Sequence, residues 1–197
     1  MILLVAILAG LAAGLFLALI QKRTWTVPPL KQAWLVVVAF IPQFINSYLP
    51  ATRGRLSNGW AAAGLILSQI LLLAFCWFNR RVPGVWFLAL GLACNMVVIA
   101  LNGGFMPISP QTAGRLVAPE ILARIPLGDR FGYKDILLPP NQIRLAWLSD
   151  IFLPPRGFPY QVAFSLGDMF IAAGAFWCLA SQGRAPATNP SERLKGT

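Results

Sequence analysis

Ser165 and Asp168 stand three residues apart in FSLGDMF, directly ahead of an apolar run. A hydroxyl and a carboxylate at that spacing can do two kinds of chemistry. They can form an N-terminal capping box, in which Ser165 accepts from the amide three residues on and the Asp168 carboxylate faces the positive helix end. Alternatively Asp168, with Ser165 or Ser109, can supply an acid or an ion or proton site within a membrane enzyme. The cap is the favoured reading, because nothing else completes a catalytic set. Histidine is absent, which removes the usual general base and the commonest zinc and haem ligand. Cys76, Cys94 and Cys178 fall inside apolar runs without metal-ligand spacing, and read as small hydrophobes. No phosphate loop, dinucleotide fingerprint, serine triad or zinc motif occurs. No catalytic residue, metal or cofactor is assigned, and the expectation is a protein that is not an enzyme.

Other polar residues interrupt the apolar runs: Gln43, Asn46, Ser68, Gln69 and Asn95. They could line a polar track for a headgroup, an ion or a proton. The simpler reading is interhelical hydrogen bonding, worth about 1 kcal/mol each, since none of these five ionises. Pro42, in AFIPQFIN, predicts a kink, with Gln43 and Asn46 within one turn of it as the place for an internal polar pocket.

The elements that must position these groups follow from composition. The chain has 197 residues, 57% hydrophobic and 11% charged, against about a quarter charged in soluble domains. That leaves too little polar surface to cover a globule in water, and a bilayer is the expected solvent. The net charge of +10 does not indicate nucleic acid. Its carriers sit in pairs between apolar runs, as in Lys22-Arg23, Arg53/Arg55 and Arg80-Arg81, which is how membrane proteins mark loops.

Five spans are predicted, at 2–20, 33–49, 60–78, 85–101 and 162–180, in an all-α membrane bundle forming one domain over 1–181. The first is a retained anchor rather than a signal peptide, because its apolar stretch is long and its basic residues follow it. Three basic residues fall in 21–32, two in 79–84 and three in 181–197, which places these segments in the cytoplasm. The N-terminus and the segment 102–161 are then outside and the C-terminus inside, with 182–197 a disordered tail. Ala6, Gly10 and Gly14 form a small-residue stripe for close helix packing, and Gly64 and Gly174 offer similar faces. Their partner is a helix of this chain or of a second one.

The segment 102–161 reads as a lid. Asn102, Gly103 and Gly104 suit a left-handed helix stop. Phe105 and Met106 would stay at the interface, Pro107 and Pro110 bar further helix, and Ser109-Pro110 opens a short helix to about Val117. Residues 141–152 read as an interfacial helix: Ile143, Trp147, Leu148, Ile151 and Phe152 face the apolar side, with Arg144, Ser149 and Asp150 away from it. Trp147, Phe158 and Tyr160 suit the headgroup level. GDRFGYKD, 128–135, reads as an exposed tip in which Asp129 and Asp135 could be paired carboxylates, but with Arg130 and Lys134 between them a local salt-bridge cluster is the favoured reading.

NMVVIALNGGFMPIS (95–109), with FSLGD (164–168) and the opening MILLVAILAGLAAG, resembles an uncharacterised family of small bacterial membrane proteins, domain of unknown function 5317. The resemblance implies a multi-pass protein of the bacterial inner membrane with no assigned activity. Its signature positions would be Asn95, Asn102, Gly103, Gly104, Met106, Pro107, Ser109, Gly167 and Asp168, with Ile108 where valine is expected. The function expected is that of a non-enzymatic accessory or scaffold subunit acting through helix packing and its lid, whose partners are the lipid bilayer and another membrane subunit or a second copy, not nucleic acid. The alternative is a binder or transporter of a lipid-like or small amphipathic molecule.

Overall fold

The structure is a computed structural model that describes residues 2–48, 57–155, 157 and 161–182, with backbone alone at 46–48. Within these, α1 is Ile2–Ile20, α2 Trp34–Tyr48, α3 Asn58–Phe78, α4 Val85–Leu101, α5 Pro110–Ala113, α6 Pro119–Leu122 and α7 Leu166–Ala180. The five long helices coincide within a few residues with the five apolar runs. Two of them, α1 and α3, are long and apolar enough to cross a membrane, while α2, α4 and α7 are shorter apolar helices. Arg53, Arg55, Phe158, Tyr160 and the tail from 183 onward lie outside the described residues, as does the Asn46 side chain.

Helix packing runs α1 to α7, α7 to α4, α4 to α3 and α3 to α2. Small residues set two of these contacts. A Cβ added at Gly10 would lie 2.7 Å from the Phe176 carbonyl oxygen, and one at Gly14 2.5 Å from that of Leu179. The Gly10/Gly14 stripe therefore packs against α7 of the same chain, and the two helices run parallel. Between α4 and α7, which run antiparallel, Gly84 meets Gly174 and Gly91 meets Gly167. A Cβ at Gly174 would sit 2.6 Å from the Leu88 amide nitrogen, and one at Gly91 would strike the Gly167 carbonyl. The backbones touch over two turns, and dispersion contact takes the place of side-chain interdigitation.

Pro42 lies inside α2 and faces Gly64, where an added Cβ would be 3.0 Å from the proline Cβ. A proline in a helix leaves the carbonyl four residues back, here that of Val38, without its amide. Beside it, the Ser68 hydroxyl of α3 donates to the Ala39 carbonyl at 2.6 Å and so ties α3 to α2. A cleft beside the kink, about 310 Å³, is lined by apolar residues including Ile45, Trp60 and Leu67. Gln43 is half-buried, and Gln69 Oε1 is buried without a hydrogen-bond partner among the described residues.

The segment after α4 corrects the all-α expectation. Strands β1 (Met106–Ile108), β2 (Arg130–Phe131) and β3 (Asp135–Leu137) form a small sheet of order β1-β3-β2, with β1 parallel and β2 antiparallel to β3. Pro107 is tolerated because β1 is an edge strand. Strands of two or three residues carry no readable alternation, which is why the pattern of apolar residues does not announce them. Phe105, Met106 and Ile108 are fully buried: Phe105 packs with Ala61 and Leu65 of α3, Met106 with Val98, Ile99 and Leu148, and Ile108 with Phe131 and Leu137 inside the cap. The helix opened by Ser109 is shorter than expected, ending at Ala113 and continuing as tight turns to Val117.

The expected helix over 141–152 does not form. Two short 3-10 turns, Pro140–Gln142 and Ala146–Leu148, flank Leu145, whose φ of 55° is left-handed. The physical reason lies at Arg144, whose amide and carbonyl, which a helix would use internally, both bond to Asn102 instead. Phe152 and Phe164 then close the segment by exchanging backbone hydrogen bonds at 3.1 and 3.0 Å with their rings stacked, one residue ahead of Ser165.

Gly91→Ala should destabilise the protein by about 1–3 kcal/mol through overpacking, although alanine is the better helix former. Gly59→Ala, whose Cβ meets nothing within 4 Å, should be neutral or stabilising. Unfolding titrations of the two variants in detergent compare them directly.

Candidate functional site

The polar groups converge where α4 ends and α7 begins, beneath the cap. Ser165 caps α7: its hydroxyl accepts from the Asp168 amide at 3.0 Å, and Asp168 Oδ2 accepts from the Ser165 amide at 3.0 Å. The capping box ties into α4 through Asn95. Asn95 Nδ2 donates to Asp168 Oδ1 at 2.9 Å, and Ser165 Oγ donates to Asn95 Oδ1 at 2.9 Å. These bonds form a closed ring in which Ser165 and Asn95 are buried. Gly167 is what lets the ring close, since a Cβ there would strike Asn95 Oδ1.

Two turns beyond Asn95, α4 is stopped by Asn102 and the glycines that follow. Gly103 and Gly104 have φ of 76° and 88°, and the Gly104 amide reaches back to the Ile99 carbonyl at 2.8 Å, the six-to-one bond of a Schellman stop. A side chain at Gly104 would also strike Ala62 of α3. Asn102, buried, holds the cap: Nδ2 donates to the carbonyls of Val98 and Arg144, and Oδ1 accepts from the Arg144 amide at 2.9 Å. Met106 and Pro107 follow in β1, and Ser109 caps α5, accepting from the Thr112 amide at 3.2 Å. The structure thus joins Asn95, Ser165, Gly167 and Asp168 in one cluster and sets Asn102, Gly103 and Gly104 beside it. Ser109 is engaged at α5.

A second set of charges was not legible as such. Lys134, in the turn between β2 and β3, reaches Asp150 Oδ2 at 2.6 Å and lies 3.6 Å from Asp135 Oδ1. Of the ion pairs expected within 128–135, Lys134–Asp135 is present, and Lys134 also makes a closer pair with a residue 16 positions on. Asp150 is not on a solvent face; its side chain is 0% exposed, and Ser149 beside it is also buried. A hint was present in the sequence: a carboxylate between Leu148 and Ile151 needs a cation if the flanking apolar residues are buried.

Burial pushes the Asp135 carboxyl up to about 7, against the pull of Lys134, with the charges of Asp150 and Asp168 adding to the rise. Burial raises Asp150 as well, opposed by Lys134. For Lys134, burial would lower the ammonium, but Asp135, Asp150 and Asp168 together hold it above its ordinary value. Asp135 Oδ1 and Asp150 Oδ1 are both buried with no hydrogen-bond partner among the described residues. Among the described residues no group of three or more His, Cys, Asp or Glu is placed to hold a metal ion. Chemically, the cluster fastens segments together, and the Ser165 hydroxyl donates to an amide oxygen rather than to a base.

Asn95→Leu would leave the Ser165 hydroxyl and Asp168 Oδ1 each short of a partner, at about 1–3 kcal/mol per orphaned group. The expected result is a lower unfolding midpoint in detergent, with Asn95→Asp recovering little because it repels Asp168. The pH dependence has a definite sign. Asp135 has a folded value of about 7 against an ordinary 3.8, so the native state binds its proton more tightly than the unfolded chain does. Stability should rise as pH falls from about 7 and be lost as pH rises through it. Thermal melts between pH 5 and 8 should show this, and Asp135→Asn should flatten the slope.

Comparison with known proteins covers most of the fold just described. An uncharacterized protein of Thermotoga maritima is 26% identical over 117 residues, 59% of this chain and 62% of that protein's length. The chain thus spans under two thirds of this relative. No solved structure matches. Residues 28–180, from the approach to α2 through the last turn of α7, match the model of a family of unknown function, DUF5317. That match includes both polar clusters and the cap between them, and the chain belongs to the DUF5317 family.

Proposed function

We propose that the chain is a multi-pass protein of the cell membrane, with α1, α2, α3, α4 and α7 as spans, serving as a non-enzymatic accessory or scaffold subunit through its helix faces and its cap. The membrane reading is supported by where apolar side chains are left. Leu19 is 77% exposed, Val37 67% and Phe16 62%, and every long helix presents such residues. In water, a continuous apolar surface of this kind far exceeds the few hundred Å² that monomers tolerate. Exposed tryptophans mark both ends of the bundle, Trp34, Trp77 and Trp86 at one and Trp60 and Trp147 at the other, as interfacial belts do. Lys22, Arg23, Lys31, Arg80 and Arg81 lie in the turns at the first of these ends. Positive-inside weighting puts that end in the cytoplasm and the cap outside.

The observation that carries the accessory reading is the use to which the buried polar groups are put. Asn95, Ser165 and Asp168 close on one another, Asn102 binds the cap to the end of α4, and Lys134 joins two parts of the cap to each other. A rigid cap on a lipid-exposed bundle offers another membrane subunit or a second copy a fixed surface. The full chain, extracted from native membranes in mild detergent and purified by an affinity tag, should carry a second chain or run as an oligomer. Recovery of a lone monomer after in-membrane crosslinking would refute the accessory role. Reporter fusions after residues 20, 48 and 182 test the topology independently.

A further inference from the structure

At the end of the bundle away from the cap, a cleft of about 570 Å³ opens between the approach to α2, the turn joining α3 to α4, and the end of α7. Among the described residues its lining includes three cations, Lys31, Arg80 and Arg81, and no carboxylate. Phe78, Val82 and Pro83 supply an apolar floor beside them. We infer that this cleft is a binding site for the phosphate headgroup of an anionic phospholipid, with the acyl chains running down the adjoining apolar helix faces; the inference rests on the membrane reading and goes beyond the accessory role.

The cleft is built rather than incidental. Asn79, only 2% exposed, ends α3 and clasps the Lys31 peptide in both directions. Its Oδ1 accepts from the Lys31 amide at 2.7 Å and its Nδ2 donates to the Lys31 carbonyl at 2.8 Å, with a further bond to Phe75. That clasp holds the Lys31 backbone beside Arg80 and Arg81, across 48 residues of sequence. Arg80 is steadied by donating to the Trp77 carbonyl at 3.1 Å, with its guanidinium carbon 4.8 Å from the centre of the Trp77 ring. Three positive charges lining one cleft repel one another, and a phosphate relieves that repulsion while accepting their hydrogen bonds. Basic clefts between membrane helices on the cytoplasmic side suit such headgroups. The flanking Trp77 and Trp86 are exposed at the same end, where headgroups lie.

The test uses the full chain in detergent, after its failure to remain soluble without detergent has verified the membrane reading separately. Native mass spectrometry then measures retention of added phosphatidylglycerol against phosphatidylcholine. Phosphatidylglycerol should be preferred, and Lys31→Gln with Arg81→Gln should weaken its retention about thirty-fold, at roughly five-fold per basic residue. Lys22→Gln with Arg23→Gln removes the same charge outside the cleft and should cost little. Thermal melts confirm that each variant is folded; Asn79→Ala, which frees Lys31 without removing a charge, should reduce the preference if the cleft variant proves unstable. Equal retention of both lipids, or equal losses from both double variants, would overturn the site. Binding of inorganic phosphate with no lipid preference would also overturn it, in favour of a soluble anion.

Discussion

A buried peptide group must find its hydrogen bonds inside the protein, and much of this fold depends on side-chain amides that provide them. Asparagine carries a donor and an acceptor a short distance apart, so one side chain can answer both halves of another segment's peptide. Asn79 does this for Lys31 and Asn102 does it for Arg144. Both residues end a helix, and both also donate to the carbonyl four residues back. Each therefore completes its own helix terminus while fixing a remote loop. Asn95 applies the same capacity to side chains, joining α4 to the capping box of α7. Removing any of them strands groups on two elements at once, at a cost that grows with how deeply those groups are buried.

Close helix approach is the second requirement, because these short bonds across α4 and α7 need nearly touching backbones. Gly84 and Gly91 on one helix face Gly174 and Gly167 on the other. Glycine here trades helix propensity for contact. The ring and the glycine seam depend on each other: Gly167 makes room for Asn95, and Asn95 fixes the register in which the glycines meet.

Much of this was legible in the residues and some was not. Apolar runs of the right length marked all five long helices, since continuous hydrophobicity survives any choice of packing partner. Ser165 with Asp168, and Ser109 with Pro110, declared their caps because capping is local chemistry. Gly10 and Gly14 were visible as a stripe, but their partner α7 lies far along the chain and local spacing cannot reach it. Residues 141–152 misled because an apolar side suggests a helix while Asn102, about forty positions earlier, claims the Arg144 peptide. The sheet escaped because its strands are shorter than one cycle of readable alternation. Asp150 and Asn79 were missed for the same reason as Asn102's role: what defines each is a partner distant in sequence.

The place of α7 has a consequence for how the molecule is made. Among the described long helices it is the last to leave the ribosome, yet it lies between α1 and α4, both of which emerge ahead of it. Until translation passes residue 180 the glycine faces of α1 and α4 have no helix to meet, and Asn95 has neither Ser165 nor Asp168. Biogenesis must therefore shelter a half-built bundle with an open slot. The final segment closes that slot like a key, so that truncated products lack the middle of the assembly rather than merely its edge.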